Sequence, residues 1–210
     1  METLDPVQIR VLGCLLEKQQ TTPDAYPLTL NSLRLACNQT TSRDPVVEYD
    51  EATVREAAQR LGQRGWARLT SYHGSRTSKY RHLLNEALGL SGDERALLCV
   101  LMLRGPQTLG ELKQRTEKLH PFEDLSSVEA ALERLTAREL GRMLERKPGQ
   151  KEARYAHLLD EGGSDDAKST AAEPPSRQHE SGDVAGELAR LRQELDALRN
   201  EVAALRERLS

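Results

Sequence analysis

Three cysteines and five histidines are the side chains of this 210-residue sequence best suited to hold a metal or attack a substrate. Cys14, Cys37 and Cys99 are odd in number and far apart, which gives neither a disulfide framework nor a metal-ligand pair. His82 and His157 occupy matching places in two copies of a repeat. A catalytic histidine has no reason to appear in both copies, so that recurrence points to a structural role. His120 beside Glu123 and Asp124 is the nearest approach to a polar cluster and reads as loop surface. There is no phosphate-cradling glycine loop, no GxSxG elbow and no HExxH pair. The sequence therefore predicts a non-enzyme with neither cofactor nor metal.

What remains is binding chemistry. Between Tyr26 and Leu84, nine Lys/Arg stand against five Asp/Glu, a local charge of +4 inside a chain of net charge −3. From Ser91 to Asp160 the balance is twelve against twelve, and from Glu161 onward it is seven against eleven. Only the first segment would attract phosphate. Within it, Arg55, Gln59 and Arg60 face away from the apolar stripe of one predicted helix, where arginine and glutamine can read guanine and adenine edges. Arg76 and Lys79 sit in a loop of small hydroxyl residues suited to phosphate contact, and Arg43 precedes the helix. These six residues are the candidate DNA-binding set. The opposing reading is a merely solvated mixed-charge face, since Glu51 and Glu56 flank Arg55.

The elements that would position them come from an internal repeat. Val54 to Leu69 (VREAAQRLGQRGWARL) aligns without gaps to Val128 to Met143 (VEAALERLTARELGRM), and Tyr80 to Leu84 matches Tyr155 to Leu159. Asp5, with Pro6 next and Gln8 three residues on, can cap a first helix, and Leu4 and Ile9 can staple it. A second helix follows Pro27 and a third starts near Asp50. In the second copy, capping boxes run from Ser91 to Glu94, Thr108 to Glu111 and Ser126 to Glu129. Each copy reads helix, helix, helix, strand, loop, strand, the order of a winged helix-turn-helix. The predicted buried stripes are Leu12 and Leu16; Val54, Ala58, Leu61 and Trp66; Leu97 and Leu101; and Val128, Leu132, Leu135 and Leu140, with Cys14 and Cys99 as small buried residues. The expected class is α+β, mainly helical with small β wings: winged-helix domains at 1–88 and 89–160, a flexible acidic linker at 161–182, and a coiled-coil helix at 183–210.

Composition narrows the function. Aromatic residues are 3% of the chain, too few for a stacking platform that binds single-stranded nucleic acid. The longest apolar run, Ala96 to Leu103, falls far short of the roughly 20 residues that span a bilayer. The first residues lack the layout of a secretory signal. The expectation is a cytoplasmic protein without a membrane role.

The last segment carries a heptad seam. Leu188, Leu195, Val202 and Leu209 fall at a, and Val184, Leu191, Leu198 and Leu205 at d. Glu187, Glu194 and Glu201 occupy g, and Arg192, Arg199 and Arg206 occupy e. In a parallel pair every g–e contact is Glu opposite Arg, whereas an antiparallel pair sets like against like. The charges select a parallel self-pair, while leucine burial supplies its affinity.

Gly13 to Arg34 (GCLLEKQQTTPDAYPLTLNSLR), the run Ala36 to Val46 (ACNQTTSRDPV), Ser75 to Tyr80 and Leu101 to Thr108 (LMLRGPQT) together resemble the bacterial YceH-like family over almost the whole chain. That resemblance implies a tandem winged-helix fold. It brings no functional residues with it, so the roles of Asn31, Asn38, Arg43, Asp44, Arg76 and Lys79 stay open between structure and nucleic-acid contact. Two functions follow as expectations. The first is a regulator that binds duplex DNA through its first winged helix and self-associates through the heptads. The alternative is a protein-interaction adaptor without DNA binding. A continuous basic strip across the third helix and wing of the first copy would favour the former, and a mixed or apolar patch there the latter.

Overall fold

The computed structural model describes residues 3–71, 78–146, 149 and 151–160. All of these belong to one compact unit spanning 1–165. Arg76, the linker and the heptad residues Leu188, Leu191, Leu195, Leu198, Val202, Leu205 and Leu209 lie outside the described residues.

The described chain is α+β, with seven α-helices and two small antiparallel sheets. Helix α1 (Pro6–Thr21) is followed by a 3-10 turn, strand β1 (Leu28–Thr29), α2 (Leu30–Cys37), α3 (Glu51–Gln63), β2 (Ala67–Thr70) and β3 (Lys79–His82). A short helix, α4 (Leu84–Leu88), leads into α5 (Gly92–Arg104), α6 (Leu109–Thr116), α7 (Leu125–Ala137), β4 (Gly141–Met143) and β5 (Tyr155–His157). The first sheet runs β1-β3-β2 and the second β4-β5. Neither β1 nor α4 was visible in the sequence pattern; two residues of strand and five of helix carry too little periodicity to register.

Local chemistry sets the helix starts. Asp5 and Gln8 close a reciprocal capping box on α1, and Thr29 and Asp50 accept from Ser32 and Thr53 at the starts of α2 and α3. Ser91–Glu94 and Thr108–Glu111 do the same for α5 and α6. The third expected box is displaced. Asp124, not Ser126, caps α7, with Ser127 returning a hydrogen bond from the third helical position. An ionised carboxylate at Asp124 is the stronger acceptor, so the helix begins one turn-fraction earlier.

Helices α1 and α5 form the centre. α1 is buried from Gln8 to Leu16 and α5 from Ala96 to Leu103, which accounts for the eight-residue apolar run. A helix apolar on all sides must be enclosed. They pack tightly at Gly13, where a Cβ would stand 2.8 Å from Leu103 Cδ2. Here a glycine is required by contact rather than by backbone angle. The predicted stripes of α3 and α7 are buried as well, and one apolar core runs through both halves of the unit.

The repeat is visible in backbone detail. Leu83 N–H donates to Trp66 O at 2.8 Å and Leu158 N–H to Leu140 O at 3.0 Å. Gly65, with φ of 76°, and Glu139, with φ of 55°, occupy the same left-handed position after α3 and α7. Leu28 pairs with Tyr80 as Gln107 does with Tyr155, the latter as an isolated bridge. The unit is also tied at its ends. Leu4 N–H donates to Leu159 O at 2.7 Å, and Leu4 bridges Asp160 in parallel.

Candidate functional site

The five candidate DNA contacts among the described residues do not converge on one surface. Arg43 is the clearest correction. It is 6% exposed and lies in the loop between α2 and α3. Its guanidinium grips the Glu17 carboxylate of α1 bidentately, Nη2 to Oε2 at 2.6 Å and Nη1 to Oε1 at 3.0 Å. The remaining donors go to Ala36 O, Ser42 O and Gln39 Oε1. Burial works to raise the Glu17 carboxyl, but the hydrogen bonds and charge of Arg43 outweigh it and hold that carboxyl below its usual range. No donor is left for phosphate; Arg43 fastens the loop to α1.

The same loop is held elsewhere by polar side chains. Arg10, 4% exposed, donates to Cys37 O and Pro45 O. Asn38 brackets Tyr49, accepting from its N–H at 2.9 Å and donating to its carbonyl at 2.8 Å. Asp44 N–H reaches Leu103 O of α5. The Asn38 side chain thus has structural work in hand, whereas Asp44 is tied through its backbone.

On α3 the exposed arginines each have a carboxylate partner. Arg55 faces Glu51 at 3.9 Å, one turn back. Burial pushes the Tyr80 phenol up, and the Arg55 charge opposes it. Arg60, five residues and so about 140° further round, reaches Asp5 Oδ2 at 3.0 Å and Glu56 at 3.9 Å. Arg64 donates to Thr3 O and lies 4.5 Å over the Trp66 ring. Gln59 is exposed between these flanks.

The second half repeats the Arg60 and Arg64 contacts. Arg134 aligns with Arg60 and bonds Asp93 at the start of α5; Arg138 aligns with Arg64 and bonds Leu88 O. Arg138 also meets the Glu94 carboxylate at 3.0 Å, itself 3% exposed. In each half the third helix clamps the start of its own first helix through two arginines four residues apart. The sequence contained the signal, since the gapless repeat aligns these arginines, as the separate match of Tyr80–Leu84 to Tyr155–Leu159 aligns the two histidines.

Lys79 lies elsewhere again. Along β3, Tyr80 and His82 are buried while Lys79 and Arg81 face outward. The register sets Arg68 opposite Arg81 and Thr70 opposite Lys79, so the outer face of this sheet is basic. Arg81 is paired with Glu86 at 2.6 Å; Arg68 is exposed. Arg68 belongs to this surface and was not among the sequence candidates.

The histidines are interior polar groups. His82 Nε2 donates to Gln19 Oε1 at 2.7 Å, while Nδ1 accepts from Leu84 N–H at 3.3 Å. Burial holds its pKa down at about 4. His157 Nδ1 accepts from Leu159 N–H at 3.4 Å, and burial lowers it too, against the opposing charge of Asp160. The three cysteines are buried, and burial pushes the Cys99 thiol well up. Among the described residues no His/Cys/Asp/Glu group is arranged to hold a metal, and no helix is long and apolar enough to cross a membrane.

The family model described as "Protein of unknown function, DUF480" matches residues 4–150. The chain belongs to this family. A "UPF0502 protein" of Pelobacter propionicus is 49% identical over 207 residues, covering 97% of this chain and 93% of that protein. A "UPF0502 protein" of Dechloromonas aromatica is 44% identical over 206 residues, covering 97% and 92%. The DUF480 match takes in the pinned loop and the four clamp arginines, but stops short of Thr3, which accepts from Arg64, and of β5.

Proposed function

We propose that this DUF480 chain is a non-enzymatic adaptor: two tandem winged helices that engage protein partners, paired with a second copy through the C-terminal heptads. The repeated element order, with a left-handed residue after each third helix, supports the winged-helix assignment. The observation that carries the adaptor reading is the doubled arginine clamp. The third helix that would enter a DNA groove spends Arg60, and Arg64 at its C-terminal cap, on its own half, as α7 spends Arg134 and the capping Arg138. What α3 leaves outward is mixed in sign, with Glu51, Arg55 and Glu56 all exposed, and the apolar Leu69 stands 54% exposed beside it.

One observation favours direct DNA contact as a second reading: the basic outer face of the first sheet, with Arg68 and Lys79, next to the segment that contains Arg76. The two readings separate in a fluorescence-anisotropy titration of the full chain against duplex DNA at about 50 mM salt, where electrostatic binding is strong. The adaptor reading expects no saturable binding at micromolar protein, and partners retained from a nuclease-treated cytoplasmic extract. Salt-dependent binding that weakens when Arg68, Arg76 and Lys79 become alanine would replace it with the DNA reading. Self-association is checked by sedimentation: the full chain is expected as a parallel dimer, and a chain ending at residue 182 as a monomer.

A further inference from the structure

A cleft of about 530 Å³ opens between the two halves of the unit, among α1, the loop residue Ser42, α5 and the end of α6. That volume lies within the roughly 300–1,000 Å³ of ordinary small-molecule sites. Three cations line it: Arg104 from the last turn of α5, Arg115 from the last turn of α6, and Lys118 just beyond. A helix C-terminus favours a cation by its dipole, but the dipole of one helix does not explain why two helices end on the same cavity.

The charges in this cleft are incompletely neutralised. Glu17 lines it, yet its carboxylate is already held by both arms of Arg43 and by Lys18 at 3.2 Å. Arg115 has Glu111 at 3.5 Å, but that carboxylate also takes Arg154 at 3.0 Å. Arg104 donates to the Ser42 hydroxyl at 2.7 Å, a neutral partner. Burial lowers the Arg104 pKa, and the charges of Arg115 and Arg43 push it the same way, against Glu17 and Asp44. Glu117 on the rim is the remaining carboxylate.

The other wall is apolar, formed by Val100, Leu103 and Leu119, and among the described residues no aromatic ring lines the cleft to stack a nucleobase. We propose that the cleft binds a small organic phosphate with a short aliphatic body. Its phosphate would meet Arg104, Arg115 and Lys118, and its carbon chain would lie against Val100, Leu103 and Leu119. Three cations suit a phosphate of charge about −1.5 to −2 better than a single carboxylate. Such a ligand would bridge the halves and act as an effector of whatever the outer surfaces bind; its binding does not depend on the adaptor reading.

The test is calorimetric titration of the full chain at low salt with n-butyl phosphate, inorganic phosphate and butyrate. One saturable site is expected for butyl phosphate, tighter than for either fragment. Lys118→Gln and Arg115→Gln should each weaken it about tenfold, and Lys151→Gln, outside the cleft, should leave it unchanged. Lys118 is exposed and makes no ion pair among the described residues, so its variant tests the site without threatening the fold. Circular dichroism of each variant verifies that. Absence of saturable heat at millimolar ligand, butyrate binding as tightly as butyl phosphate, or equal weakening by Lys151→Gln would each overturn the proposal.

Discussion

The two halves of the compact unit share an element order but solve different problems with it. In the first half the link between α2 and α3 is long, residues 38–50, and is held by buried polar side chains: Arg43, Arg10 and Asn38. In the second the link between α6 and α7 is shorter, residues 117–124, and Phe122 plugs it into the core at 6% exposure. One junction relies on ions and hydrogen bonds, the other on an apolar anchor. The arginine clamp is common to both, yet its acceptor differs: Asp5 is about one-third exposed in the first half, whereas Glu94 is almost fully enclosed in the second. Repetition therefore marks what the fold needs, and the departures mark where each half is vulnerable.

The sharpest way to break the comparison is Arg43→Ala. It leaves the Glu17 carboxylate, the Ala36 carbonyl and the Gln39 amide without their shared donor, and should cost about 3–5 kcal/mol, the usual penalty for halving a buried ion pair. Urea unfolding of the full chain would read it. Arg43→Lys should recover little, because an ammonium cannot reproduce the two-armed grip.

Acid should then distinguish the halves. The His82 imidazole titrates near 4 when folded, against 6.5 for an ordinary histidine. The depressed folded value means the unfolded chain takes up the proton first as pH falls. The stability present above about 6.5 is then lost towards pH 4, by up to about 3 kcal/mol. His82→Gln should flatten that limb of the stability profile. His157→Gln should act in the same direction, since burial lowers that imidazole as well, against the charge of Asp160.

The clamps themselves give a smaller contrast. Arg138→Gln removes a partner from the enclosed Glu94 and should cost about 2 kcal/mol. Arg60→Gln loses a contact half-open to water and should cost at most about 0.5 kcal/mol. Equal losses from thermal or urea unfolding would show that the enclosed Glu94 contact and the half-open Asp5 contact are energetically alike, although Arg138 aligns with Arg64 and not with Arg60. The smallest effect lies at the paired left-handed positions. Glu139→Gly should gain about 0.5 kcal/mol by relieving a side chain at positive φ, and Gly65→Ala should lose about 1 kcal/mol.

Much of the scaffold was legible because it is written locally. Caps at Asp5, Ser91 and Thr108 need only a side chain and an amide three residues on, and the stripes of α3 and α7 need only helical spacing. The candidate contacts were less legible because they depend on distant partners. Arg43 reads as a loop cation until Glu17, 26 positions earlier, is placed against it. Lys79 and Arg55 look like neighbours of one surface until the strand alternation turns Lys79 to the opposite side of the sheet. The cleft at Arg104, Arg115 and Lys118 gave no sequence signal, since nothing in the chain order says that two helices end at the same place.

The bond from Leu4 to Leu159 means that the chain enters and leaves this body at a single seam, sealed by two leucines that are 1% and 3% exposed. A polypeptide reordered to start at the exposed Gly149, with residues 160 and 3 fused by a short glycine bridge, would keep every described helix and both sheets in their places. The seam thus gives the molecule a topology nearly that of a closed ring.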